Sequence, residues 1–279
     1  MSPCRVCPRH CGVDRLSGRT GKCRTGSDVV VASYNLHYGE EPPISGKGGS
    51  GTIFFANCTL SCVFCQNYPI SQLGNGNIRN IEELAGIMLE LQEKGAHNIN
   101  FVTPTHVTPQ IVKAAALART KGLSLPLAYN CSGYEDIETL RLLEGIIDIY
   151  MPDMKYGSDA CARRYSGVPR YREINRQAVR EMYRQVGNLE IDAEGIARRG
   201  LLIRHLILPH RLSGSRNVLE FIARELSPRV YVSVMAQYHP AHRAGSHAKL
   251  SRRITQREYD DVLKIAEELG LKNGWQQEL

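Results

Sequence analysis

Three cysteines, Cys58, Cys62 and Cys65, fall within Asn57-Cys58-Thr59-Leu60-Ser61-Cys62-Val63-Phe64-Cys65-Gln66-Asn67, spaced C-x3-C-x2-C. Three thiolates on one short loop can grip three corners of an iron–sulfur cube. The loop carries no fourth cysteine, so one iron is left open to chemistry. A structural zinc site would want four ligands and close itself. A second group, Cys4, Cys7, Cys11 and Cys23, lies within residues 1–27, with Gly18, Gly21 and Lys22 leading to the last of them. Cys4-x2-Cys7 and Cys7-x3-Cys11 are chelating spacings, and four cysteines without a spare fit a closed site. The sequence leaves its metal open between zinc and an iron–sulfur cluster.

The elements that must position these groups alternate between strand and helix. Residues 39–51, Gly-Glu-Glu-Pro-Pro-Ile-Ser-Gly-Lys-Gly-Gly-Ser-Gly, read as a loop. Lys47 suggests a phosphate loop, but Gly48 follows it where Ser or Thr is required. Strands are expected over 52–56, 98–102, 125–129, 146–151, 201–208 and 230–235. Helices are expected over 80–94, opened by the Asn80/Glu83 capping box, from Thr108-Pro109 onward, over 171–185, and over 255–269, opened by Thr255/Glu258. Buried strands alternating with helices imply an α/β chain with a parallel sheet and right-handed crossovers. Active sites in such sheets form at the C-terminal strand ends.

With this loop and this alternation, the chain resembles the radical S-adenosylmethionine (SAM) enzymes, from about Cys4 to His239. The nearest branch is that related to pyruvate formate-lyase activating enzymes, some members of which begin Cys-Arg-x-Cys-Pro-Arg-x-Cys-Gly, as residues 4–12 do. The resemblance implies a partial (β/α)6 TIM-like barrel over residues 51–279, with a closing C-terminal helix, behind a cysteine-rich segment and loop at 1–50. It implies a [4Fe–4S] cluster on Cys58, Cys62 and Cys65 that binds SAM and cleaves it to a 5′-deoxyadenosyl radical. The radical's implied target is a glycine on a glycyl-radical enzyme; the alternative is a small molecule or peptide. From another class stands a non-catalytic zinc module that binds nucleic acid. The resemblance puts Phe64 near the adenine, with Gln66 and Asn67 beside it. It implies SAM contacts from Thr103 and Thr105, where the branch has Gly-Gly-Glu, and from Asn130, Ser132, Asp153, Lys155, Arg204 and His239. Gly133 would allow close backbone approach, His106 would face substrate or simply open a helix, and Cys131 reads as a small buried residue.

The formal charge of +7 is spread along the chain, which argues against a nucleic-acid tail. A basic surface suits an acidic flavodoxin or ferredoxin as electron donor. Arg172, Arg176, Arg180 and Arg184 form a helical stripe that reads either as a solvated face or as a dock for such a partner. His242 and His247 beyond His239 raise a second metal site as a lesser reading. No apolar run approaches the ~20 residues of a membrane helix, and no apolar signal region opens the chain, so a cytoplasmic protein is expected. Nine cysteines there read as metal ligands rather than disulfides.

Overall fold

The structure, a computed structural model, describes residues 1–277. Its elements in chain order are β1 (Val29–His37), α1 (Pro42–Ser45), β2 (Ser50–Phe55), α2 (Tyr68–Ser71), β3 (Asn77–Arg79), α3 (Ile81–Glu93), β4 (Ile99–Val102), α4 (Thr108–Thr120), β5 (Leu127–Cys131) and α5 (Ile137–Arg141). There follow β6 (Ile149–Pro152), α6 (Asp159–Ser166), α7 (Tyr171–Val186), β7 (Glu190–Ile191), β8 (Ala197–Leu206), α8 (Ser215–Phe221), β9 (Tyr231–Met235), α9 (Gln256–Glu268) and β10 (Gly274–Gln276). One open sheet runs β10-β9-β8-β6-β5-β4-β2-β1-β3, with β7 attached to β8. From β2 to β10 along this path every pairing is parallel. The architecture is the expected mixed α/β open, partial barrel, and its six expected strands appear as β2, β4, β5, β6, β8 and β9.

Four strands fall outside the expectation, the shortest of them the two-residue β7. β1 runs antiparallel to β2 and β3 antiparallel to β1, so a segment before the cysteine loop and one after it extend one edge. β10 adds a parallel strand to the other edge. The stretch 39–51 also holds α1, a single turn that Pro42 and Pro43 start without needing their missing N–H groups.

Side-chain alternation sorts the sheet's two faces. Outward-facing Ile99, Phe101, Leu127, Tyr129, Leu201 and Ile203 pack with Leu84, Met88, Ile111, Val179 and Met182 from the helices in the main core. Each such large side chain, fully buried, stabilises the fold by about 1.5–3 kcal/mol. On the inner face Ile44 of α1 packs with Ala128, Ile149, Met151, Ala197 and Leu202, and Asn98 Nδ2 holds the Ile44 carbonyl at 2.8 Å. These contacts lie toward the strands' N-terminal ends, so α1 plugs the lumen there. A third cluster, including Leu60, Val63, Phe64, Tyr156, Tyr165 and Tyr238, surrounds the cysteine loop. Both capping boxes are present, on Asn80/Glu83 and Thr255/Glu258.

Candidate functional site

The cysteine loop leaves β2 at Asn57, whose left-handed φ of 69° turns the chain. Neighbours then hold the loop through its backbone. Ser61 N and Val63 N donate to the Ser166 and Tyr165 carbonyls at 3.0 and 2.8 Å, and Arg243 N donates to the Val63 carbonyl at 2.8 Å. Arg9 reaches in from the N-terminal segment, donating from Nε to the Thr59 carbonyl (3.1 Å) and from Nη2 to the Gly167 carbonyl (2.8 Å). Hydroxyls meet two of the sulfurs: Ser166 Oγ lies 2.9 Å from Cys62 Sγ and Ser71 Oγ 3.1 Å from Cys65 Sγ. Burial and the neighbouring Cys62 push the Cys58 thiol up to about 12. Burial pushes Cys62 up to about 11 against the pull of Lys155.

A cavity of about 400 Å³ opens beside the loop at the strands' C-terminal ends. Cys62, Cys65, Phe64, Gln66, Asn67, Asn130, Asp153, Lys155 and Arg204 all line it, so nine of the residues singled out in the sequence come together. Phe64 stands edge-on to Tyr238, with ring centroids 5.8 Å apart. Lys155 Nζ meets Asp153 Oδ2 at 2.5 Å. Burial alone would raise the Asp153 carboxyl, but Lys155 and Arg204 outweigh it and hold it below its ordinary value.

Arg204 differs from its expected role. Nε donates to Asp153 Oδ1 (3.1 Å), Nη1 to Glu40 Oε2 (3.1 Å) and Nη2 to Asn130 Oδ1 (2.6 Å). Each nitrogen is engaged by protein, and Asn130 in turn donates to Glu40 Oε1 at 3.3 Å. Both residues therefore organise the wall of the cavity. Glu40 and Glu41, read from sequence only as part of a loop, line the cavity as well. The available signal was two adjacent acids in a stretch made mostly of glycine, serine and proline.

Other expected contacts point elsewhere. Thr105 is buried, and its hydroxyl donates to Glu135 Oε1 at 2.8 Å. Ser132 Oγ accepts from Tyr134 N at 3.4 Å, closing a local turn. The positive φ of Gly133 serves the protein itself, since a Cβ there would lie 2.5 Å from the Asp153 carbonyl. His106 is buried with Nε2 2.8 Å from the Ala56 carbonyl, and burial lowers it to about 4. His239 stands exposed with Nδ1 3.3 Å from Gln66 Nε2. His242 stacks on Tyr68 and His247 stands edge-on to Tyr165, so the three histidines serve separate neighbours. Thr103 ends β4 with φ at 62°, a conformation rare for a β-branched residue.

Cys4, Cys7, Cys11 and Cys23 line one small cavity. Gly21 is required there, because a Cβ would sit 2.7 Å from Cys11 Sγ. Among the described residues, no three Cys, His, Asp or Glu groups meet at a single-ion site. The arginine stripe of α7 is largely paired within the molecule: Arg180 with Glu225, Arg184 with Glu144 and Glu181, and both Arg176 and Arg180 over the Phe221 ring. Among the described residues no helix is long and apolar enough to cross a membrane.

A partial parallel α/β barrel with three cysteines on the loop that follows β2, beside a cavity at the C-terminal strand ends, is the arrangement of a cluster-dependent enzyme class. The radical SAM superfamily model matches residues 52–189, and the chain belongs to that superfamily. An uncharacterized protein of Methanocaldococcus jannaschii is 32% identical over 276 residues, covering 96% of this chain and 75% of the relative. Among solved structures, the chain is similar to the FeFe-hydrogenase maturase HydG of Carboxydothermus hydrogenoformans, with 11% identity, a TM-score of 0.55, and 81% of this chain and 52% of that one covered. It is also similar to SuiB of Streptococcus suis bound to S-adenosylmethionine, with 11% identity, a TM-score of 0.53, and 80% and 48% covered. The chain thus spans about half the length of these two neighbours, whose likeness is one of fold. The family's cofactors are a [4Fe–4S] cluster and SAM.

Proposed function

We propose that the chain cleaves SAM reductively at a cluster held by Cys58, Cys62 and Cys65 and directs the radical at a small molecule seated in the barrel lumen. The observation that carries this reading is the convergence of Cys62, Cys65, Phe64, Asp153 and Lys155 on one cavity. The donor set fits the cofactors. Three thiols share one short loop without a fourth, and thiols this reluctant to ionise gain a compensating charge from bound metal. When bound, the cluster and SAM supply a one-electron cleavage that yields a 5′-deoxyadenosyl radical. Lys155, beside Cys62 and Asp153, offers a cation to the SAM carboxylate. Phe64 offers the adenine an apolar edge, and Gln66 and Asn67 offer amides at the rim.

The glycyl-radical activating role expected from the sequence gains no support from the relatives, and Thr103-Pro104-Thr105 replaces the Gly-Gly-Glu on which that branch relies. A lumen plugged by α1 and walled by polar groups favours a small substrate over a protein glycine. Flavodoxin or ferredoxin, donors used in the family, suits the positive charge of the chain. The four N-terminal cysteines are read as a structural metal site that braces the cluster loop through Arg9.

The test is anaerobic. The protein is reconstituted with iron and sulfide, reduced with dithionite and supplied with SAM, and 5′-deoxyadenosine and methionine are measured. Cys62→Ala is expected to reduce both to background. Equal product from that variant, or none from wild type carrying a reducible [4Fe–4S] cluster, would overturn the reading.

A further inference from the structure

Cys4, Cys7, Cys11 and Cys23 share their cavity with Arg9, His10 and Arg15. All four thiols are free, and short turns hold them in place. Cys4 N donates to the Val13 carbonyl at 2.9 Å, Gly12 N to the Cys4 carbonyl at 3.0 Å and His10 N to the Cys7 carbonyl at 3.0 Å. On the return stretch Lys22 N donates toward Cys11 Sγ at 3.5 Å. Arg15 stands apart from the other basic residues of this segment because it is only 1% exposed. Its Nε donates to the Gly26 carbonyl at 2.7 Å and its Nη1 to the His106 carbonyl at 2.8 Å, both neutral acceptors. Its Nη2 is buried without a hydrogen-bond partner.

A buried charge is costly unless paired, and a buried donor left without a partner calls for an explanation. Among the described residues no carboxylate meets Arg15. Glu135 is buried beyond β5, but its oxygens accept from the Thr105 and Tyr129 hydroxyls at 2.8 and 3.2 Å. Asp136 is held by His10 at 2.7 Å. The missing anion must then come from the cysteines, and neutral thiols supply none. Four thiolates carry more negative charge than a Zn²⁺ ion or a [4Fe–4S] core brings, so the filled site is an anion. Its sulfurs accept hydrogen bonds. Arg9, the other guanidinium at the cavity, is turned to the Thr59 and Gly167 carbonyls, which leaves Nη2 of Arg15 as the free donor.

We infer that the four N-terminal cysteines hold an anionic tetrathiolate metal centre and that Arg15 is its buried counter-cation. The inference rests on the metal reading of these cysteines given above and adds what balances their charge. Zinc and a [4Fe–4S] cluster share this chemistry. Arg15 also ties the centre to the catalytic loop. Its Nη1 holds the His106 carbonyl, and the His106 ring meets the Ala56 carbonyl at 2.8 Å, just ahead of Cys58. The centre thus anchors the root of the cysteine loop through Arg15, as it braces Thr59 through Arg9.

The test uses the full chain with Cys58, Cys62 and Cys65 changed to alanine, so that any metal retained belongs to the N-terminal cysteines. This parent is reconstituted anaerobically with iron and sulfide in the presence of zinc, and all three are then measured per chain. The expected result is one centre, either about four irons with four sulfides or about one zinc, lost when Cys7→Ser is added. Arg15→Met in the same background is expected to release its metal to EDTA about tenfold faster or more, with Arg15→Lys falling between. Thermal unfolding separates charge pairing from simple support. If Arg15 balances the centre, stripping the metal lowers the melting temperature less in Arg15→Met than in the parent. A role confined to the Gly26 and His106 carbonyls predicts the same decrement in both. Circular dichroism verifies that each variant is folded, and Arg15→Gln replaces Arg15→Met if the latter is not. A parent that retains no metal would overturn the metal reading and the inference with it. A parent that retains metal, with Arg15→Met releasing it no faster or showing an undiminished decrement, would overturn the role of Arg15 alone. No SAM enters the experiment, so the radical reading stands apart from either result.

Discussion

Asp153 and Glu41 are carboxylates of one cavity whose surroundings shift them in opposite directions. Asp153 stands at the end of β6 between Lys155 at 2.5 Å and Arg204 at 3.1 Å, and those cations hold it ionised. Glu41, at the lower end, has a partnerless oxygen, and burial pushes it toward the neutral acid. The paired wall of Asp153, Arg204, Asn130 and Glu40 is complete without a ligand, so its task is to position. Glu41 has no such set of partners, and its Oε2 is buried without one. The contrast teaches that charge in a cavity does not by itself mark a ligand contact: Arg204 is the cavity's largest cation, yet all its nitrogens are engaged by protein.

The largest expected effect comes from breaking the paired wall. Asp153→Asn leaves Lys155 without its counter-ion and strips one bond from Arg204. Removing one partner of a buried pair costs roughly 3–5 kcal/mol. The lower end, about 3 kcal/mol, is expected because Arg204 keeps Glu40 and Asn130, and urea unfolding measures it. The pH dependence has a definite sign. A carboxyl with a lowered folded-state pKa contributes stability that is present above the ordinary carboxylate value and lost as pH falls below it. The gap between wild type and Asp153→Asn should therefore be widest near neutrality and narrow below about pH 4. A gap that stays constant through that range would mean Asp153 is not held by its cations.

Gly133→Ala disturbs the same wall without touching a charge. The added methyl would meet the Asp153 carbonyl at 2.5 Å and the Asn175 amide, at a left-handed φ of 69°. Strain and overpacking together predict a loss of about 2 kcal/mol, with no change in its dependence on pH between 3 and 5. Thr103→Gly tests the neighbouring strand end, where a β-branched residue adopts φ 62°. Relief of that strain, less the entropy of the added glycine, predicts a gain of about 1 kcal/mol. A loss instead would show that the threonine side chain has contacts worth more than its strain.

Four of the helices, α3, α4, α7 and α9, and six of the parallel strands were legible because their signals are local. Asn80/Glu83 and Thr255/Glu258 announce helix starts within four residues, and buried parallel strands read as apolar runs. β10 spans only Gly274–Gln276 and exists through pairing with β9 some forty residues earlier, which no local pattern encodes. The cysteine loop was legible because its three cysteines fall within one short stretch of sequence. The cavity floor was not, because Glu41 reaches it by way of α1 and Ile44, and the fit of Ile44 among Ala128, Ile149 and Leu202 emerges only once the sheet curves. Thr105 was expected as a SAM contact from its place in the resemblance, yet after the left-handed turn at Thr103 it faces Glu135 instead. Arg204 was expected as a SAM contact, yet in the cavity wall its nitrogens meet protein groups, one of them Glu40 from the segment read as a loop.

Glu41→Gln has the smallest expected effect and separates the two carboxylates most sharply. If Glu41 has no protein partner, the amide removes no protein–protein interaction and avoids burying a charge, so stability near pH 5 should stay within about 1 kcal/mol of wild type. The sign with pH is opposite to that of Asp153. A carboxyl with a raised folded-state pKa contributes stability that is fully present below the unfolded value, about 4.3, and lost as pH rises through the folded one. The amide cannot ionise, so the variant should gain on wild type as pH rises from about 5 to 8, as measured by thermal unfolding across that range. A loss of more than about 2 kcal/mol at pH 8 would mean that Glu41 is ionised and paired within the fold, as Asp153 is.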